Sequence, residues 1–90
     1  MLLQTPAEMA LNTAKRFKRL RKSRKITAKS LSERSGVPYS TLRRFESTGE
    51  ISFLSLVKIV SVLGEDAQID ALFSETSPRS IEEVIRANNL

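Results

Sequence analysis

Ninety residues are enough for one small domain and a tail, and a chain this short buries only a modest core. It has neither Cys nor His, which excludes disulfides, thiolate zinc sites, the commonest general base and the usual pH switch, and leaves little basis for an enzyme. The net charge of +5 is unevenly spread: residues 1–63 hold 13 Lys and Arg against 4 acids, whereas residues 64–90 hold 2 Arg against 6 acids.

Thr5, Pro6 and Glu8 open the first predicted helix as N-cap, first-turn proline and early acid. Ala7, Leu11, Ala14, Phe17 and Leu20 recur at three- and four-residue steps and define its apolar face. Lys15, Arg16, Lys18, Arg19, Arg21 and Lys22 fill the other faces, and the helix is expected to fray between Ser23 and Lys25. Nine basic residues fall between Lys15 and Lys29 with no acid among them. Such a run reads either as a solvated helix face or as an electrostatic footprint for nucleic acid. Thr27, preceded by Ile26 as a hydrophobic staple, caps a second helix over 28–35 with Leu31 inward, and Gly36 ends it. A third helix over 38–46 starts at Pro38 and turns Leu42 and Phe45 inward; Ser47, Thr48 and Gly49 read as a loop.

Ser52 caps a fourth helix over 53–63, apolar on nearly every side, with only Ser55, Lys58 and Ser61 polar. Gly64 ends it, and a fifth helix over 66–73 carries Ile69, Leu72 and Phe73. The polar stretch 74–79 contains Pro78 and reads as a linker. Ser80 and Glu83 make a capping box for a last short helix over 81–88, which presents Ile81, Val84 and Ile85 and is too short to be stable undocked. The expected organisation is therefore all-α: a domain over 1–74 and a C-terminal tail over 75–90. No apolar run is long enough to cross a membrane, and the opening residues lack the basic and apolar regions of an export signal. A cytoplasmic, nucleoid-associated location is expected. Nothing in the sequence implies a metal or cofactor.

The segment from Ala28 to Glu46 meets the three demands of a helix-turn-helix. Ser32 is small where the second helix crosses the first, and Gly36 tolerates the positive φ of the turn. Leu31, Val37, Leu42 and Phe45 can lock the pair at a fixed angle. That angle lets one helix lie in the major groove of DNA while the other crosses the backbone.

Over 11–63 the chain resembles the Xre/lambdoid-repressor family of helix-turn-helix proteins. The residues carrying the resemblance are Leu20-Arg21, Gly36-Val37, Ser40-Thr41-Leu42, Phe45-Glu46 with Gly49, Leu56-Val57-Lys58-Ile59-Val60 and Leu63-Gly64. It implies a five-helix lambda-repressor-like DNA-binding domain, here with a short C-terminal helical tail. It places Tyr39, Ser40 and Arg44 at base edges or nearby phosphates, with Thr41 and Arg43 beside them. The start of the second helix, at Thr27 and Ala28, would sit on a phosphate. Ala28 stands where the family often has glutamine, so Lys29 or Lys25 would take over that contact. Tyr39 could instead pack the turn, and Arg43 could pair with Glu46 or Glu50.

Thr5-Pro6-Ala7-Glu8 and the trailing Ser80-Ile81-Glu82-Glu83-Val84-Ile85 further resemble HipB-type antitoxins. That resemblance implies a homodimer that represses its own operon and binds a HipA-type kinase toxin. Phe53, Val62, Ile69, Phe73, Ile81, Val84 and Ile85 are the expected dimer or partner surface. A phage-type or stand-alone repressor without a toxin fits the same motif, and a module working mainly by partner inhibition is the reading from another class.

Overall fold

The computed structural model describes residues 3–75. They form α1 (Pro6–Ser23), α2 (Ala28–Ser35), α3 (Tyr39–Thr48), α4 (Phe53–Val62) and α5 (Asp66–Asp70), with no strand among the described residues. The tail helix expected over 81–88, with Ile81, Val84 and Ile85, lies outside the described residues. No described helix is long and apolar enough to cross a membrane.

Local chemistry sets the helix starts. At α1 the Glu8 N–H donates to Thr5 Oγ1 and the Thr5 N–H donates to Glu8 Oε1, both at 3.1 Å, a reciprocal capping box. Thr27 Oγ1 accepts from the Ser30 N–H at 3.0 Å, and Ser52 Oγ accepts from the Ser55 N–H at 3.1 Å. Pro38 stands just outside α3 as its N-cap residue, with φ −54° and ψ 142°, so the helix begins at Tyr39 rather than at the proline. α3 also runs further than the loop expected at 47–49. The hydroxyls of Ser47 and Thr48 turn back onto the Arg44 carbonyl at 3.2 and 2.7 Å and stay within the helix. Gly49 then closes it at φ 86°.

That glycine is required by space as well as by φ. A Cβ there would lie 2.5 Å from the Ala10 carbonyl carbon and 2.7 Å from the Leu11 nitrogen, so the end of α3 presses directly on the backbone of α1. α5 is shorter than the helix expected over 66–73. From Ala71 the chain tightens into three-residue turns, with Leu72 bonded to Ile69 and Ser74 to Ala71, and Phe73 takes a positive φ of 61°.

The core joins all of the first four helices. Ala14 and Phe17 of α1, Ala28 and Leu31 of α2, Leu42 and Phe45 of α3, Ile59 and Val60 of α4, with Val37 and Leu63, are buried together. Phe17 and Phe45 meet edge to face at a centroid distance of 5.5 Å. Leu20, Ile26, Leu56, Val62 and Ile69 pack partly buried around them.

Arg21 departs from the solvent-facing position that the charge pattern assigns it. It is buried, and its guanidinium clasps Glu46 with Nε to Oε2 at 2.7 Å and Nη2 to Oε1 at 3.0 Å. A third donor reaches the Ile26 carbonyl at 2.9 Å. The planar fork thus satisfies both carboxylate oxygens and the turn before α2 in one group. Arg24 stays exposed but reaches across the fold: Nη1 donates to the Leu63 carbonyl at 2.8 Å, and Nη2 pairs with Glu65. These contacts tie the end of α1 to α3 and to the α4–α5 turn, and so fix where α2 and α3 point.

Candidate nucleic-acid interface

α2 and α3 are joined by a short turn whose geometry comes from three residues. Gly36 takes φ 75°, Val37 is buried, and Ser32 Oγ donates to the Val37 carbonyl at 2.6 Å. Ser32 therefore does more than leave room for the crossing helix; its hydroxyl pins the turn. Leu42, Phe45 and Glu46 bury one face of α3. At about 100° per residue the opposite face is centred on Ser40 and Arg44, with Arg43 and Ser47 alongside, and all four are exposed. This is an i, i+3, i+4, i+7 stripe, long enough to run along a groove.

Of the expected site residues, Ser40, Arg43 and Arg44 share the outward stripe of α3, and Lys25, Thr27 and Lys29 lie at the start of α2. Tyr39 is 51% exposed at the leading end of α3, next to exposed Ser40. Thr41 is half-buried to the side. Arg43 is exposed and pairs with neither acid considered for it: Glu46 belongs to Arg21, and Glu50 pairs with Arg44 at 2.8 Å. Thr48 Oγ1 accepts from the Glu50 N–H at 3.1 Å and so helps hold that carboxylate beside α3. At the start of α2, Thr27 is occupied as the cap of Ser30, and exposed Lys29 follows in the first turn. Lys25 is exposed in the preceding turn, in a left-handed conformation at φ 57°. The free N–H groups and partial positive charge at the head of α2 suit an anion.

Ser47 falls in the stretch expected as a loop, yet it shares the outward stripe with Ser40, Arg43 and Arg44. The signal was its spacing of seven from Ser40, outweighed by the loop preference of the Ser-Thr-Gly run.

Electrostatically, the nine-residue basic run is not one patch. Arg21 turns inward to Glu46 and Arg24 pairs at the surface with Glu65, leaving Lys25 and Lys29 at the head of α2 and the remaining cations on α1. Residues 17–69, more than half of the chain, match a family model described as Helix-turn-helix. No curated protein and no solved structure matches the chain.

Proposed function

The chain belongs to the helix-turn-helix family of DNA-binding regulatory domains, and from that premise we propose that it is a sequence-specific transcriptional repressor that reads an operator with α3. The observation that carries this is the outward stripe of Ser40, Arg43, Arg44 and Ser47, set at a fixed angle to the anion-suited head of α2. In this reading α3 lies in the major groove, Arg44 and Tyr39 reach base edges, and Ser40, Thr41 and Arg43 reach bases or phosphates. Thr27, Lys29 and Lys25 hold the backbone at the start of α2. DNA replaces Glu50 as the partner of Arg44, so the carboxylate also disfavours phosphate bound without a matching base.

The protein acts as a two-fold homodimer. Phe53 and Leu54 are 59% and 64% exposed at the start of α4, and Leu72 and Phe73 are exposed after α5, large apolar side chains that a second copy could cover. A two-fold operator needs two α3 helices about 34 Å apart, one helical turn of DNA, and the proposed pairing must meet that spacing. The finer reading is an autorepressing HipB-like antitoxin of the cytoplasm that also binds a HipA-type kinase toxin. It rests on the resemblance at Thr5 to Glu8 and in the tail, and co-purification with such a kinase checks it.

The test is selection of duplexes from a random pool, followed by fluorescence anisotropy at physiological salt. Recovery of a palindromic site, bound in preference to a shuffled duplex, is the expected result. Arg44→Ala should weaken the selected site by about 1–3 kcal/mol and flatten the preference. Equal binding to selected and shuffled duplexes would overturn the reading.

A further inference from the structure

α1 meets α3 through a single stripe of residues. Ala10 lies under Gly49, Phe17 touches Phe45, Arg21 clasps Glu46, and Ala14 is buried between them. At about 100° per residue, Lys15, Arg16, Arg19 and Lys22 gather on the opposite side of α1, and all four are exposed. Arg16 donates to Thr13 Oγ1 at 3.1 Å, and none of the four has an acidic partner among the described residues. Like charges one helical turn apart repel, and no described contact offsets that here. The face points away from α3, so a duplex lying along α3 does not neutralise it.

We infer that this outer face of α1 is a second duplex-binding surface, one that holds phosphates without reading bases. Its composition selects the ligand. Asn12 lies among the four cations, and exposed Glu8 and Met9 stand one turn before it, so the stretch from Lys15 to Lys22 itself offers no apolar or aromatic anchor of the kind that centres a protein interface. It also has no aromatic ring on which single-stranded bases could stack. A row of cations alone suits the regular, dense charge of a duplex backbone. The inference rests on the proposed role of α3: a chain that holds its operator through α3 offers α1 to another duplex and bridges the two.

The experiment immobilises a duplex recovered by selection, loads the chain, washes, and adds a fluorescent duplex of unrelated sequence. Capture is expected at about 50 mM salt. With four phosphate contacts the log–log salt slope is about −3.6, so the captured affinity should fall about a hundredfold by about 200 mM. A variant carrying Lys15→Gln, Arg16→Gln, Arg19→Gln and Lys22→Gln should keep its unfolding midpoint and its hold on the first duplex, and lose at least about tenfold in capture of the second. Chain retained on the first duplex without capture of the second overturns the inference, as does undiminished capture by the variant. Capture of labelled poly-glutamate in preference to duplex would assign the face to an acidic protein and also overturn it. Failure of the chain to stay on the immobilised duplex would instead count against the reading of α3, and this inference would fall with it.

Discussion

Arg21 and Glu46 are separated by 25 positions and share one buried contact. The charges are held out of water, so the pair is worth little beyond a well-packed apolar substitute, yet breaking it leaves an uncompensated ion in the core. Glu46→Ala should therefore destabilise the fold by about 3–5 kcal/mol, measured by urea unfolding. The double variant Arg21→Met with Glu46→Leu should recover most of that loss. A single variant as stable as the parent would show that the contact contributes nothing. Arg44 and Glu50 form the opposite case: both are largely exposed, so their pair adds little stability. Under the proposed function its consequence is that Arg44 must release Glu50 to reach DNA.

The helices that could be read in advance are those specified by neighbours in the chain. Thr5, Thr27 and Ser52 each cap the helix that follows, and Gly36 ends α2, because a cap needs only residues within a few positions. What escaped the reading depends on contacts across the fold. Arg21 looks like any other member of a basic helix until Glu46 is placed opposite it. Ser47 and Thr48 look like a loop until their hydroxyls are seen to bond within α3. Gly49 is explained only by the backbone of α1 against it. Gly49→Ala should cost more than about 2 kcal/mol, since it combines a left-handed φ with a clash against backbone. Gly36→Ala has open space around it and should show the conformational penalty alone, about 1–2 kcal/mol. Equal losses would refute the close approach of α3 to α1. The α1 cap also predicts a pH response. The Thr5 N–H and hydroxyl hold the Glu8 carboxyl below its ordinary value. A depressed pKa contributes stability that is full above the ordinary carboxylate range and is lost as pH falls through the lowered value. α1 helicity, followed by circular dichroism, should therefore decline in acid less steeply for Glu8→Gln than for the parent.

At the scale of the molecule, the same small set of helices has to close a core and present α3, and under the proposed two-fold pairing it must also leave a surface for a second copy. Residues near the turns serve the first two tasks together, since Arg21 and Arg24 brace α1 against α3 and against the α4–α5 turn. In that proposal the third task falls to exposed apolar groups of α4 and the residues after α5. Phe53→Asp with Leu54→Asp should convert a dimer to a monomer by sedimentation, with the fold intact because neither side chain enters the core. A parent chain that sediments as a monomer would remove the two-fold reading, while leaving α3 free to bind a single half-site.

In the proposed complex one surface, the outer stripe of α3 with the head of α2, meets the DNA. Backbone amide shifts recorded on adding one selected duplex per dimer test this. The largest changes should fall at Lys29, Ser40, Arg43, Arg44 and Ser47, with α5 essentially unmoved. Changes concentrated on α4 and α5, or on α1 without α3, would contradict it.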